Sequence, residues 1–402
     1  MNLSPPPGHV AVVGAGLAAL RTCAALRERG YAGAITVVGA EGVAPYDRPP
    51  LSKELLSRPE PAWLTGELGS DLRELADDVH LGDPAVALRP GEPHVLDLAG
   101  GGQVMADAVV LACGARPVNP WPQALTLHTA ADAEVLRGLL RRSGTELVIV
   151  GAGWIGAEVA GVAAGAGARV TVVEAAAEPL SRQVPARLGA RTRAWYAEAG
   201  VQLRTGVPVA RVEADGVQLA DGATVRGEVV LAAIGVVPAT QWLAGAVPLG
   251  PGGHVHTDAD GRAQAPGIWA VGDCAWRTDP VFGQVPGGHW SAALHDPDRL
   301  AAAMLGMPAP QHRPAPFIYS TQLGHHLSVF GRVDGDLLIR DYDDGAWTAL
   351  VLEGDHLVGA VVADMPRDVS AVRKLLGSGS LPRMDRAAAA DPSVRLRSAV
   401  SA

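Results

Sequence analysis

Residues 147–174 read LVIVGAGWIGAEVAGVAAGAGARVTVVE, and this stretch decides the fold. An apolar run enters a glycine-rich turn, a helical stretch of small residues follows, and a second apolar run closes the segment. A strand, a turn, a helix and a strand within about 30 residues form the βαβ unit that builds parallel sheets. Residues 10–38 repeat this order, from VAVV at 10–13 to ITVV at 35–38. We therefore predict two related βαβ units.

A further matching strand follows each unit. VVLACGARP (109–117) and VVLAAIGVVP (229–238) are apolar runs that end in glycine and then proline, and alternating segments that predict antiparallel hairpins precede both. From residue 317 several strand-like segments lead to one helical segment. The expected fold class is α/β, with two Rossmann-like (βαβ) dinucleotide-binding domains plus a C-terminal α+β domain. Gly114 and Gly235, which end the two matching strands, are expected at the cofactors.

The two turns have the glycine pattern of dinucleotide binding. In the first, Gly14 permits the tight turn, Gly16 lets the backbone approach a pyrophosphate, and Ala19 allows close packing of helix and strand. The second is a full GxGxxG motif formed by Gly151, Gly153 and Gly156, with Ile155 inside it. In each unit the N-terminus of the helix offers unpaired N–H groups to the phosphates. Because the glycine pattern occurs twice, each time between a strand and a helix, dinucleotide binding is favoured over a chance match.

An acidic residue at the end of the second strand binds the adenosine ribose in such units. Glu174 ends VTVV in the second unit and would repel a 2′-phosphate, which favours NADH over NADPH. A solvated charge at a strand end is the alternative. In the first unit Ala40 stands at the expected position, so we assign the role to the following residue, Glu41.

Composition excludes several classes of function. The 402 residues suggest more than one domain, and a net charge of −9 argues against nucleic-acid binding. No apolar run is long enough to span a membrane, and no leader opens the sequence, so we expect a cytoplasmic protein. The three cysteines form neither a CxxC pair nor a zinc motif, and the histidine pairs lack a third ligand, so we predict no metal site. Only two lysines occur, Lys53 and Lys374.

Three segments together resemble the FAD-dependent ferredoxin reductases of oxygenase systems, the putidaredoxin-reductase type within the pyridine nucleotide-disulfide oxidoreductase superfamily. They are PYDRPPLSK (45–53), GAGWIGAEVA (151–160) and IWAVGDCA (268–275). The resemblance extends from about residue 9 to 380. It implies an FAD domain split around an NADH domain, and FAD and NADH as cofactors. The corresponding boundaries are 1–117 with 242–316 for FAD, 118–241 for NADH, 317–385 for the α+β domain and 386–402 for a flexible tail.

The resemblance also implies roles for single residues. Lys53 would lie beside the flavin ring, where a cation favours the anionic reduced form, and Glu158 would border the nicotinamide site. Asp273 would bind the ribitol chain, Arg48 the FAD phosphates, and the backbone of Val86 the adenine. A surface lysine, a helix-surface glutamate and a plain N-cap remain the alternatives for Lys53, Glu158 and Asp273.

Several positions depart from the family pattern. A histidine, His128, stands in the segment that leads to the second βαβ unit, where the family has arginine. The departures near the flavin are Gly288, His295, Asp296, Tyr319 and Thr321. Trp290 and Tyr319 are still expected to flank the ring, because aromatic side chains pack well against it. These substitutions leave FAD binding intact and bear on the choice of partner.

Disulfide reductases of this architecture carry a cysteine pair beside the flavin, and residues 45–53 contain none. We therefore predict an NADH-dependent reductase, with Lys53 and Glu158 as catalytic residues. It would pass electrons singly to a small [2Fe–2S] or similar ferredoxin that serves a P450 or dioxygenase. Two alternatives are a flavin-dependent NADH oxidase or biosynthetic oxidoreductase acting on a small molecule, and a non-catalytic flavoprotein subunit. The sequence leaves the oligomeric state open.

Overall fold

The computed structural model describes residues 5–142, 144–310 and 314–401. Its first sheet is parallel throughout, and the strand at its centre, His9–Val13, is almost fully buried. Burial on both faces explains the continuous apolar run, since helices cover a parallel sheet on both sides. The strands in spatial order are Ile268–Ala270, Ala108–Leu111, His9–Val13, Ala34–Gly39 and Asp78–Leu81.

The first sheet is assembled from two separate parts of the chain, because Ile268–Ala270 follows the whole second unit. Helix Leu17–Glu28 packs beside helix Trp290–Met304, which also comes from the later part. This arrangement is the one that an FAD domain split around another domain requires. The domain boundaries themselves stay predictions.

The second sheet is also parallel and repeats the first. Its strands in spatial order are Gln202–Thr205, Arg169–Glu174, Glu146–Val150 and Val229–Ala232, and its helices are Ala130–Leu140 and Trp154–Gly165. A capping box starts Ala130–Leu140, since Thr129 accepts from the N–H of Asp132 and Asp132 accepts from that of Thr129. Both predicted hairpin regions are antiparallel sheets, made of Ala85–Arg89, His94–Leu98 and Gln103–Ala106 and of Val209–Glu213, Gly216–Leu219 and Thr224–Arg226.

Short elements join the units. Strand Ala115–Pro117 pairs with strand Val236–Pro238. The two segments in which the chain passes from one parallel sheet to the other therefore lie side by side. A third small sheet contains Val255–Thr257, Ala275–Asp279 and Gly283–Pro286. The remaining short strands and helices are Tyr46–Asp47, Ala62–Trp63, Pro50–Lys53, Leu64–Leu68, Leu72–Leu75, Ala186–Gly189 and Arg193–Glu198.

The C-terminal region is an antiparallel sheet covered by one helix, Pro366–Leu376. Its strands in spatial order are Phe317–Gln322, His325–Gly331, His356–Ala363, Trp347–Glu353 and Asp336–Asp341. The α+β character predicted from residue 317 onward is therefore confirmed. Within the described ranges, none of the helices combines the length and apolar character that crossing a bilayer requires.

The expectation of a flexible tail from residue 386 is wrong. Helix Arg386–Ala390 and the 3₁₀ turn Leu396–Ala399 pack into the core of the C-terminal sheet, where Ala389 and Leu396 are buried. The fully buried guanidinium of Arg340 donates to the carbonyl oxygens of Ala389 and Val394, both at 2.6 Å. The alanine-rich composition suggested disorder, whereas small side chains in fact allow this segment to pack closely.

Candidate active site

The carboxyl ends of both parallel sheets open into one cavity of about 2010 Å³. Ligands bind at this edge of open α/β sheets. The cavity is larger than the roughly 300–1,000 Å³ of an ordinary small-molecule pocket. Fifteen predicted site residues line it: Gly14, Gly16, Glu41, Arg48, Lys53, Gly114, Gly151, Gly153, Ile155, Glu158, Glu174, Gly235, Asp273, Trp290 and Tyr319.

Three predicted site residues lie outside the wall of the cavity. Ala19 is fully buried between helix and sheet, and Gly156 packs so tightly that a Cβ would stand 2.1 Å from the carbonyl oxygen of Gly151. Both therefore act on packing, as the motif implies. Val86 is 49% exposed and faces away, while the preceding Pro84 and Ala85 line the cavity. Side chains alternate along a strand, so the side chain of Ala85 points inward and that of Val86 outward; the predicted contact of the Val86 backbone with the adenine stays a prediction.

The two glycine turns need glycine for backbone reasons. Gly14 has φ +125°, and a Cβ there would lie 2.0 Å from the carbonyl oxygen of Ala112. Gly151 has φ +108°, with the carbonyl oxygen of Ala233 at 2.5 Å from the same position. The helices that follow begin after Gly16 and Gly153 without a side-chain cap, so their first N–H groups face the cavity. Each turn thus presents a helix N-terminus of the kind that can bind an anion.

Glu41 lies in the wall of the cavity, just after the second strand of the first unit. Its carboxylate accepts from the Tyr46 hydroxyl at 2.6 Å and pairs with the guanidinium of Arg48. Burial by itself would raise the pKa of Glu41, but the hydrogen bonds from Tyr46 and Arg48 outweigh it and the pKa is lowered. Arg48 also donates to the carbonyl oxygen of His128 at 2.5 Å. Nothing in the sequence indicated this role for Tyr46, although Tyr46 lies in the PYDRPPLSK segment.

Lys53 and Glu158 form an ion pair in the wall of the cavity, with 2.7 Å between Nζ and Oε1. Glu158 is only 3% exposed, which excludes the alternative of a helix-surface glutamate. Its carboxylate also accepts from the hydroxyls of Ser52 and Ser320, each at 2.5 Å. Sequence reasoning found neither serine, because nothing local marks a hydroxyl that will face a distant carboxylate.

Asp273 lies in the 3₁₀ turn Gly272–Cys274 and accepts from the N–H of Gly288 at 3.2 Å. Burial raises the pKa of Asp273. Nearby, the indole N–H of Trp290 donates to Oδ1 of Asp47 at 2.9 Å, which orients the indole against the cavity. Burial raises the pKa of Asp47 as well. Asp47 is a second residue of PYDRPPLSK that sequence reasoning left without a role.

Glu174 is held by the backbone of its own unit. One carboxylate oxygen accepts from the N–H of Ala152 in the glycine turn and the other from that of Ala176, both at 2.8 Å. The side chain therefore stands in a defined orientation at the edge of the cavity. A negative charge held there suits a ribose with free hydroxyls and disfavours an added phosphate.

Two cysteines that are far apart in the sequence meet in the fold. Cys113 and Cys274 follow neighbouring strands of the first sheet, and Sγ of Cys274 lies 3.2 Å from the carbonyl oxygen of Leu111. The thiol of Cys274 and burial raise the pKa of Cys113. The hydrogen bond with Cys113 lowers the pKa of Cys274, and Cys113 lies in the wall of the cavity whereas Cys274 is buried.

Comparison with known proteins identifies the family to which this cavity belongs. The profile for pyridine nucleotide-disulphide oxidoreductases matches residues 8–295, and that for the reductase C-terminal domain matches residues 317–400. The chain belongs to the pyridine nucleotide-disulphide oxidoreductase family. It is therefore an oxidoreductase, and the predicted α/β fold class is confirmed.

Individual relatives agree with the predicted resemblance. The ferredoxin–NAD(+) reductase component of the anthranilate 1,2-dioxygenase system of Burkholderia cepacia is 33% identical over 96% of this chain and 98% of its own length. The corresponding component of the p-cumate 2,3-dioxygenase system of Pseudomonas putida is 31% identical, over 96% and 97%. The crystal structure of the covalent putidaredoxin reductase–putidaredoxin complex matches with 27% identity and a TM-score of 0.85, covering 97% of both chains. The resemblance to ferredoxin reductases is thus confirmed.

The structure separates the departures that reach the cavity of this oxidoreductase from those that do not. Gly288 and Tyr319 lie in its wall, whereas His295, Asp296 and Thr321 do not. The Tyr319 hydroxyl is 2.8 Å from Nδ1 of His326, and the two rings stack. Asp296 instead accepts from the buried guanidinium of Arg277 at 3.1 Å. Two of the five substitutions therefore alter the walls of the site directly.

Burial of His289 makes the stability of the folded oxidoreductase depend on pH. The Nδ1 atom of His289 accepts from the N–H of Ala292 and so caps helix Trp290–Met304, while its buried Nε2 has no hydrogen-bond partner among the residues that the structure describes. Burial, with the positive charge of Arg277, lowers the pKa of His289 to about 4. The unfolded chain takes up this proton near pH 6.5, so the folded state loses stability as the pH falls from there towards 4.

We expect His289→Asn to keep the helix cap and to remove this pH dependence. Between pH 7 and pH 4 the free energy of unfolding should fall less in the variant than in the unmodified protein. The difference between the two falls should reach up to about 3 kcal/mol. Chemical denaturation at both pH values measures the difference. The exposed His356, replaced in the same way, serves as control. An equal loss in the His289 variant and the unmodified protein would contradict the assignment.

Proposed function

We propose that this protein is an FAD-dependent reductase that takes hydride from NADH and passes electrons one at a time to a small iron–sulfur ferredoxin. The observation that carries the proposal is the Lys53–Glu158 pair, which lies in one cavity with both glycine turns. The names of the similar reductases, which are components of dioxygenase systems, support a ferredoxin as the acceptor. We further propose that the ferredoxin serves a P450 or dioxygenase and that the protein works in the cytoplasm.

The residues present fit FAD in the first unit and NADH in the second. A Cβ at Gly16 would meet no atom within 4 Å, so glycine there keeps open the space in front of the helix N-terminus. Gly153 stands at the same point in the second unit, where a Cβ would meet only the amide of Gln183 at 3.4 Å. The cavity volume of about 2010 Å³ gives two dinucleotides room in one space.

When bound, FAD supplies a ring that accepts hydride and releases electrons singly. The residues of the chain provide charge and orientation for it. Lys53 holds a positive charge in the wall, which stabilises negative charge that develops on the ring. Asp273 would accept hydrogen bonds from the ribitol hydroxyls, and Glu41 would accept them from the adenosine ribose. Glu174 would hold the ribose of NADH, and Trp290 and Tyr319 form the aromatic part of the wall.

The route of the electrons separates the proposed function from the two rivals. An NADH oxidase or a biosynthetic oxidoreductase would deliver electrons to a small molecule, and Gly288 and Tyr319 alter the wall where such a molecule would lie. A non-catalytic flavoprotein would not be reduced at all. Residues 45–53 contain no cysteine, which supports an acceptor that takes single electrons.

The test mixes the FAD-loaded protein with NADH in the absence of oxygen and then adds acceptors. We expect the flavin absorbance to bleach with NADH, and NADPH to react at least about 10-fold less efficiently. A [2Fe–2S] ferredoxin coupled to cytochrome c should then accelerate NADH consumption at least about 10-fold over dioxygen. A flavin that stays oxidised supports the non-catalytic rival, and bleaching without acceleration by ferredoxin supports the small-molecule rival.

A further inference from the structure

Glu158 is the meeting point of three parts of the chain. Its Oε1 accepts from Nζ of Lys53 at 2.7 Å and from Oγ of Ser320 at 2.5 Å, while its Oε2 accepts from Oγ of Ser52 at 2.5 Å. Lys53 and Ser52 lie in helix Pro50–Lys53, which follows the first unit. Glu158 belongs to the second unit, and Ser320 belongs to the C-terminal sheet. Glu158 and Ser320 are 3% and 1% exposed, so water does not replace these contacts.

Ser320 is held rigidly where it meets the carboxylate. The amide of Gln322 donates to its Oγ at 3.2 Å, and the two residues share one face of strand Phe317–Gln322. One turn beyond Glu158, a Cβ at Gly161 would lie 2.8 Å from the backbone nitrogen of Leu323. The helix that carries Glu158 therefore sits directly on the end of the strand that carries Ser320.

Ser320 and Lys53 compete for the same oxygen. A hydrogen bond to a carboxylate oxygen stabilises its negative charge, so the Ser320 hydroxyl weakens the hold of Oε1 on the ammonium of Lys53. Without that hydroxyl, Oε1 would bind Lys53 alone and the ion pair would tighten. More of the lysine charge would then be neutralised by Glu158, and less would act on the cavity that Lys53 lines.

We propose that Ser320 is a positioning residue, which sets how much of the Lys53 charge acts on the flavin ring by occupying Oε1 of Glu158. The inference rests on the proposed function, because that function puts the ring beside Lys53. It also means that the seating of the C-terminal sheet on the second unit tunes the redox centre, since that sheet supplies the hydroxyl.

The test is Ser320→Ala with two readouts besides activity. The first is the midpoint potential of bound FAD, which should become more negative because reduced flavin loses part of its stabilising charge. We expect about a tenfold change in the equilibrium constant for reduction, or about 30 mV for a two-electron couple. The second is the NMR spectrum of protein labelled with ¹³C-lysine, with and without FAD.

The chain contains only two lysines, so this spectrum contains two lysine side-chain signals. Lys374→Arg assigns them by removing one. Ser320→Ala should move the Lys53 signal and leave the Lys374 signal in place. Ser320→Thr keeps a hydroxyl and should restore both the potential and the signal.

Thr192→Val is the matched control, because Thr192 is equally buried and its hydroxyl donates to the carbonyl oxygen of Gly189, away from the cavity. It should change neither readout. If Ser320→Ala does not fold, Gln322→Met removes only the amide that orients Ser320, and it should shift both readouts in the same direction by a smaller amount. A change below twofold in the equilibrium constant, with an unmoved Lys53 signal, overturns the inference. Failure of NADH to bleach the unmodified protein overturns the proposed function instead, and the lysine spectrum of FAD-free protein still tests Ser320.

Discussion

Replacing Lys53 with methionine is expected to slow the reduction of bound FAD by NADH about 100-fold, the typical cost of removing one group that stabilises developing charge. Lys53 lines the cavity and pairs with Glu158 at 2.7 Å. Methionine matches the length and apolar stem of lysine, so the change removes the charge with little change in packing. Anaerobic stopped-flow measurement of the flavin absorbance gives the rate constant.

Lys53→Arg is the matched variant, because it keeps the charge while changing its geometry. It should retain a rate within about tenfold of the unmodified protein, since a cation still faces the ring. FAD content must be measured alongside, because the methionine variant leaves the buried Glu158 with hydroxyl donors alone. If the methionine variant holds FAD and reacts at an unchanged rate, Lys53 has no role in the reaction.

Replacing Gly14 with alanine is expected to abolish FAD binding, leaving less than about a tenth of the normal FAD per chain. The backbone at Gly14 has φ +125°, and the new Cβ would stand 2.0 Å from the carbonyl oxygen of Ala112. Because this neighbour is backbone in a buried strand end, the turn itself must move, and the helix N-terminus moves with it. Absorbance of the purified protein, followed by titration with FAD, measures the loss.

Gly138→Ala is the matched control for this change. Gly138 lies inside helix Ala130–Leu140, and a Cβ there would meet no atom within 4 Å. This variant should bind FAD fully and gain about 0.5–1 kcal/mol in the free energy of unfolding. Normal FAD content in the Gly14 variant would refute the assignment of the first turn to FAD.

The parallel units could be predicted because their signals are local. Gly14 and Gly151 are needed for backbone angles and close approaches set by a few neighbouring residues, and these needs appear directly in the sequence. Glu41 was a choice between adjacent positions; both Ala40 and Glu41 line the cavity, and the ribose-binding role of Glu41 stays a prediction. Patterns of this kind do not depend on how distant segments pack.

The tail was the place where a local pattern misled. The composition after residue 386 resembles that of a disordered end, yet Arg340 binds two carbonyl oxygens of the tail. Whether a polar, alanine-rich segment is ordered depends on the surface that receives it.

The sequence by itself determined the two dinucleotide units, the family and fifteen of the residues that line the cavity, because each depends on short motifs. Only the tertiary structure decided how the charged groups are paired. Trp290 meets Asp47 across 243 positions, and Ser320 meets Glu158 across 162. Such contacts arise when segments that are distant in the sequence come together in the fold, and no spacing along the chain encodes them. The environment of Lys53, and with it the charge that acts on the cofactor, is therefore a property of the assembled fold.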